Sequence, residues 1–438
     1  MKYYSTGKAS PPVDLRTAVV HSLAPDKGLY MPERIPALPS SFFEEIPHMS
    51  LVEIAQNVAF ALFGEDVPKA DLDKIVREAL SFDCPIVPVE KDIYALELFH
   101  GPTLAFKDVG ARFMAKLLGY LLSHGTASQG GEVNVLVATS GDTGSAIANG
   151  FLGVEGIHVW VLYPSGRVSP MQESQFTTLG GNITAVEVNG SFDDCQALVK
   201  TAFMDKELNS RMFLTSANSI NLARLLPQSF YYFGAYASLR RQGRTEDVVI
   251  CVPSGNFGNI CSGLIAKRMG LPVSRFIAAN NSNDVFFQYL RSGKYSPRPS
   301  ITTYANAMDV GAPSNFARIL DLYGDSHERI IQDVEGGVVT DDQILKTIRD
   351  CRKRNSYLLD PHGACGYKVL SEGLRPGEVG VFLETAHPAK FLSTVQKATG
   401  EDVPIPERLL AFSRGKKVSV PLENDFNAFK KTLLDSLQ

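Results

Sequence analysis

The chain has 438 residues, of which 44% are hydrophobic and 21% charged, which excludes a small cross-linked scaffold and a disordered or fibrous chain and leaves room for two or three domains. Its 43 Lys and Arg stand against 47 Asp and Glu, a net charge of −4. No broad field for nucleic acid or an anionic membrane results, so a small molecule is the expected partner.

The first ninety residues carry Pro11, Pro12, Pro25, Pro32, Pro36 and Pro39, then helical patterns near 51–64 and 70–82, ending in Cys84-Pro85-Ile86-Val87-Pro88. They are expected to form a small N-terminal unit, residues 1–90. Lys107 opens a helical pattern through Arg112, Met114 and Leu117. Thereafter short runs rich in β-branched residues alternate with polar turns and helices: 133–138 before 139–145, 157–162 before 163–166, 185–189 before 190–194, 248–253 before 254–259, and 380–384 before 385–388. This repeated unit predicts an open, doubly wound α/β fold with a parallel sheet. Residues 291–337, with Pro297, Pro299 and Pro313, have weaker strand signals and read as an insertion or surface region. Thr340-Asp341-Asp342-Gln343 then restarts a helix as a capping box.

The six cysteines (Cys84, Cys195, Cys251, Cys261, Cys351 and Cys365) form no CxxC pair, and the eight histidines, including His100, His362 and His387, form no HExxH motif. No metal site is expected, and reduced thiols suit a cytoplasmic protein. The N-terminus lacks a signal-like apolar run, and no stretch approaches the ~18 apolar residues of a membrane span.

In an open α/β sheet the ligand crevice lies beyond the carboxyl ends of the strands, where helix N-termini present free amides. Ser254-Gly255-Asn256-Phe257-Gly258-Asn259 fits that place as a phosphate cradle, although taken alone the loop reads more readily as a tight turn with no ligand. The chain has no GxxxxGK[ST] and no GxGxxG, which withdraws support from ATP and NAD. Ser140, Gly141, Asp142 and Thr143 offer hydroxyls and amides at another helix start, with simple N-capping as the alternative. Lys107 follows the Gly-Pro-kinked Phe99-His100-Gly101-Pro102 approach, and a partly desolvated lysine can form a Schiff base. Thr385 stands at a predicted strand end.

Taken in order, Tyr3-Tyr4-Ser5-Thr6, 24–32, 98–108, 138–144, 253–259 and Glu384-Thr385-Ala386-His387-Pro388-Ala389-Lys390-Phe391 resemble fold type II pyridoxal-phosphate enzymes, and within them the threonine synthase family of the longer bacterial and fungal kind. The resemblance implies the tryptophan synthase β-like fold with two doubly wound α/β domains. Residues 91–438 would form the cofactor-dependent catalytic region, with 130–215 as the smaller domain and 91–129 plus 216–438 as the larger. It implies pyridoxal 5'-phosphate joined to Lys107, its phosphate on the amides of Gly255, Asn256, Phe257, Gly258 and Asn259, its pyridine nitrogen on Thr385 and its phenolic oxygen near Asp142. An ionised Asp142 would repel a phenolate, so it must either hold a proton or pair with a cation. The implied substrate is O-phospho-L-homoserine, facing Ser140, Gly141, Thr143, Asn218, Asn221 and Arg224, and it needs a second anion site, for which Asn218, Asn221 and Arg224 supply amides and a guanidinium, with Arg112 and Lys116 as weaker candidates. The implied reaction is γ-elimination of phosphate and β-hydration to L-threonine. A monomer or homodimer is expected. A serine or threonine dehydratase is the alternative, sharing the lysine and glycine loops but needing no substrate-phosphate site. The lysine and the Asn256 loop are expected to meet across a cleft.

Overall fold

The computed structural model describes residues 1–124 and 132–437. An antiparallel pair, Tyr3–Ser5 with Tyr30–Pro32, opens the N-terminal unit, followed by helices Leu51–Phe63 and Lys69–Ala79. The first of these starts where Ser50 and Glu53 cap each other reciprocally. It buries Ile54, Ala55, Val58, Ala59, Leu62 and Phe63 on one face, and the Phe63 ring lies 5.4 Å from that of Phe113. The unit ends earlier than residue 90. Ile86–Glu90 pairs antiparallel with Ile93–Glu97 and forms the edge of a large sheet.

That sheet has six strands in the order Val334–Val338, Arg275–Asn280, Asp247–Pro253, Glu378–Glu384, Ile93–Glu97, Ile86–Glu90, parallel except for the last. The second sheet has five parallel strands, Val420–Glu423, Ile183–Asn189, Ile157–Pro164, Val133–Ala138 and Phe213–Ser216. Every residue of Val133–Ala138 is buried, as a strand covered by helices on both faces requires.

Two expectations are corrected. Residues 216–438 do not all belong with the large sheet, because Val420–Glu423 joins the five-stranded sheet and the helix Phe426–Asp435 packs Phe429 and Leu433 against Leu198 and Val199. Nor is 291–337 wholly an insertion: it supplies helices Phe316–Leu322 and His327–Asp333 and the outer strand Val334–Val338. The expected boundary between 129 and 130 lies outside the described residues. Among the described residues no helix is long and apolar enough to cross a membrane, and no group of three or more His, Cys, Asp or Glu is placed to hold a metal.

Candidate active site

Three adjacent parallel strands of the six-stranded sheet end at one place. Ile93–Glu97 leads toward Lys107, Glu378–Glu384 into Thr385, and Asp247–Pro253 into the glycine loop. The lysine and the Asn256 loop therefore both stand at the carboxyl end of the large sheet. What comes from the five-stranded sheet is the loop 139–141 and the helix Asp142–Phe151.

The approach to Lys107 is laid antiparallel along 385–387: Phe106 N donates to Thr385 O at 2.8 Å and His387 N to Leu104 O at 3.0 Å. Asp108 holds the preceding turn, accepting from Thr103 N at 2.8 Å and Thr103 Oγ1 at 2.6 Å. Lys107 begins the helix Lys107–Ser123, and its Nζ donates to Thr143 Oγ1 at 2.9 Å. Burial pulls its ammonium down to about 8, helped by Arg224 and Lys390 and opposed by Asp142. At pH 7 about one such lysine in ten is the free amine, the form that reacts with a carbonyl.

Asp142 is buried at the first turn of its helix. Burial alone would push its carboxyl up. The Lys390 ammonium, 2.6 Å away, outweighs that together with Lys107 and the Gln172 amide at 2.9 Å, and holds it well below the usual carboxylate range. Of the two states open to Asp142, the structure shows the ion pair. Lys390 is fully buried and also donates to Thr103 O at 2.7 Å. It lies in the Glu384-to-Phe391 segment, yet sequence reasoning gave it no part, because a lysine in a loop ordinarily reads as solvated. The loop before Asp142 is tied by Thr139, whose hydroxyl accepts from Gly141 N at 2.9 Å and Gly144 N at 2.8 Å, leaving Ser140 exposed. Gly141 needs to be glycine, with φ of +143° and the Gln172 side chain 2.6 Å from where a Cβ would stand.

The glycine loop turns into the helix Gly258–Arg268 through Phe257, a non-glycine residue in the left-handed region at φ of 61°. A Cβ on Gly255 would stand 2.8 Å from both Ala307 O and Met308 Cα. Asn256 is pinned from two sides, donating to Ser219 Oγ at 2.9 Å and accepting from Ser314 N at 2.7 Å. Asn259 accepts at Oδ1 from the Tyr231 and Tyr232 hydroxyls at 2.6 Å each, while its buried Nδ2 has no partner. Behind the loop, Asn315 donates to Ser219 Oγ and Asn256 O, and Arg318, wholly buried, donates to Asn315 Oδ1, Ser219 O, Ile220 O and Tyr30 O. Neither residue was anticipated from sequence, since both fall in the stretch read as an insertion.

The segment 217–225 packs against the lysine helix, with Arg224 O only 2.6 Å, and Arg224 Nε 3.2 Å, from a Cβ built on Gly110. Arg224 is 2% exposed, gives one bond to Ala217 O, and leaves its buried Nε without a partner. Asn218 Oδ1 is likewise buried and unpartnered. Asn221 differs from expectation: its amide donates to Val19 O at 2.7 Å and Ser22 Oγ at 2.8 Å while Oδ1 caps Ala223 N at 3.0 Å, which commits the side chain to holding the N-terminal unit. Arg112 and Lys116 are similarly engaged, by Ala79 O and Glu78 O for the first and the Glu78 carboxylate for the second.

A half-buried lysine of lowered proton affinity, a cradle that a single methyl would fill, and a buried guanidinium with an unpartnered Nε fit a phosphate-bearing aldehyde and a second anion. The chain matches the family described as "Pyridoxal-phosphate dependent enzyme" over residues 84–385, "Threonine synthase N terminus" over 2–80 and "Threonine synthase, C-terminal" over 363–433. It is 44% identical over 436 residues to threonine synthase of Haemophilus influenzae, covering 100% of both chains. The crystal structure of threonine synthase from Escherichia coli superposes with a TM-score of 0.91 at 41% identity and 100% coverage of both chains. The pyridoxal-phosphate-bound threonine synthase of Brucella melitensis superposes with 0.92 at 36% identity, covering 99% of this chain and 98% of that one. With threonine synthase matches at both ends, the cofactor-enzyme match between them and full-length relatives, the chain belongs to the threonine synthase family of pyridoxal-phosphate-dependent enzymes.

Proposed function

We propose that the protein converts O-phospho-L-homoserine and water to L-threonine and phosphate, with Lys107 as the cofactor lysine and base. The observation that carries this is the pairing of a half-buried Lys107 with a second, buried cation, Arg224, whose Nε has no partner, on the segment packed one helical turn along. Pyridoxal 5'-phosphate, when bound, supplies a conjugated ring that delocalises the charge left by removing the substrate's α proton. Gly255, Asn256, Phe257, Gly258 and Asn259 would hold its phosphate through backbone amides, Thr385 its ring nitrogen, and Asp142 would face its phenolic oxygen.

The rest is done by the chain's own groups. Lys107, released as a free amine, takes the α proton and then a Cβ proton as phosphate leaves Cγ, and returns them to Cγ and Cα, with Thr143 keeping Nζ aimed. Arg224 and the Asn218 segment hold the phosphate that leaves Cγ, where fixed donors in a dry site stabilise the developing charge. Ser140, Gly141 and Thr143 orient the substrate carboxylate at the helix start. Water then adds its hydroxyl to Cβ. On this reading the five-stranded sheet and the large sheet form two domains of the catalytic region, and the protein works in the cytoplasm as a monomer or homodimer, without nucleic acid.

A dehydratase needs no second anion site, which the buried Arg224 provides. The test is coupled release of phosphate and threonine from O-phospho-L-homoserine by wild type, Lys107→Ala and Arg224→Met. Equal amounts of both products, lost in the first variant and reduced by roughly 10²–10³-fold in the second, support the proposal. Release of 2-oxobutanoate from L-threonine with no turnover of O-phospho-L-homoserine, insensitive to Arg224→Met, would replace it with the dehydratase.

A further inference from the structure

The Asp142–Lys390 pair sits where its charge balance matters. Asp142 belongs to the helix after the first strand of the five-stranded sheet, and Lys390 to the short turn Pro388–Phe391 beyond the central strand of the large sheet. Asp142 adjoins Thr143, whose hydroxyl accepts from Lys107 Nζ at 2.9 Å, and Thr103 is shared by Lys390 and Asp108; Lys107 also feels the charge of Arg224, and His387 that of Lys390. Lys390 has no exposed surface, and its described contacts are the Asp142 carboxylate at 2.6 Å and the Thr103 carbonyl at 2.7 Å. Two buried unit charges in contact are close to electrically neutral for a third group nearby. Remove the ammonium, and an ionised carboxylate would bear on Lys107 alone and hold its proton in place. Remove the carboxylate, and an unbalanced cation would drive that proton off.

We propose that Lys390 is a positioning residue that cancels the Asp142 charge beside Lys107, and so leaves the lysine free to lose and regain its proton during turnover. This rests on the reading of Lys107 as the cofactor lysine. A mere brace between Thr103 and Asp142 would affect folding but would not move the titration of Lys107 in a direction set by the sign of the missing charge.

The experiment is a pH titration, from 5 to 10, of the visible absorbance of the Lys107-bound cofactor in holoenzyme, run beside the pH profiles of kcat and KM. The variants are Lys390→Met, Asp142→Asn, the double variant and Lys390→Arg. Lys390→Met is expected to move the midpoint up by about one pH unit or more, a tenfold gain in proton affinity. Asp142→Asn is expected to move it down, and the double variant, which buries no lone charge and so guards against misfolding, to bring it back near the wild type. In Lys390→Met, kcat at neutral pH should fall at least tenfold and recover as pH rises, with KM little changed, while Lys390→Arg restores most of it. Single variants that titrate like the wild type, or that shift in the same direction, overturn the proposal. Failure of the underlying reading shows separately, as a borohydride-reducible cofactor that survives in Lys107→Ala.

Discussion

Replacing Gly255 by alanine tests the phosphate cradle with a single methyl. The new Cβ would stand 2.8 Å from Ala307 O and from Met308 Cα, where carbon contacts are comfortable near 3.5 Å. The backbone of Gly255 lies outside the left-handed region, so alanine adds a collision without torsional strain. The opposing wall cannot easily retreat, because Ala307 N is held by His362 Nε2 at 3.2 Å and that ring is fixed by Asp360 at 2.5 Å. In cofactor-free protein the loop relieves the contact by swinging outward. Binding phosphate must bring it back, so the overpacking cost of roughly 1–3 kcal/mol falls on affinity. At 1.4 kcal/mol per factor of ten, cofactor should bind roughly 5- to 150-fold more weakly. Fluorescence titration of apoprotein with pyridoxal 5'-phosphate measures this, beside a melting curve of each apoprotein. Wild-type affinity in a folded Gly255→Ala protein would show that the loop does not close on the phosphate.

Arg318→Met strips the hydrogen bonds from Tyr30 O, Ser219 O, Ile220 O and Asn315 Oδ1 and should cost roughly 3–5 kcal/mol in urea unfolding. Glu384→Gln should stabilise: burial, and then Asp360, push the Glu384 carboxyl well above its usual range. The stability it gives is complete only below its unfolded value near pH 4.3 and is lost as pH rises. The gain of the glutamine variant should therefore exceed ~1 kcal/mol in melts at pH 8 and shrink at pH 5. Lys107→Met should stabilise the apoprotein at pH 7, because burying the ammonium is costly while it stays charged. As pH rises through about 8 toward the unfolded value of 10.5, the wild-type lysine sheds its proton and the difference between the two urea midpoints should close.

The strand–turn–helix units that end at Asp142, Phe257 and Thr385 were legible because their strands are buried on both faces and so read as continuous apolar runs. Strands at the edges were harder to read. Ile86–Glu90 carries Pro88 and Val420–Glu423 carries Pro421, residues that an edge tolerates and a central strand does not. Val334–Val338 holds Gly336 and Gly337, which local propensity disfavours; a Cβ there would stand 2.9 Å from Leu290 Cδ1 or 2.6 Å from Val369 Cγ1, so helix packing demanded glycine. Lys107, the glycine loop and Thr385 could be recognised as loops in strand-end positions. Lys390 and Arg318 could not, since a buried cation is distinguishable from a surface one only through the oxygens around it, and these come from distant parts of the chain.

The strand Val420–Glu423 lies parallel to Ile183–Asn189, more than two hundred residues before it in sequence. Until it arrives, that side of the five-stranded sheet presents a row of unpaired amides and carbonyls, the kind of surface to which another chain can add. During synthesis the small sheet thus remains uncapped while the whole of residues 190–419 is made. A nascent or C-terminally clipped chain carries a sticky border that the finished protein conceals, and solubility rather than catalysis is the property such a truncation damages first.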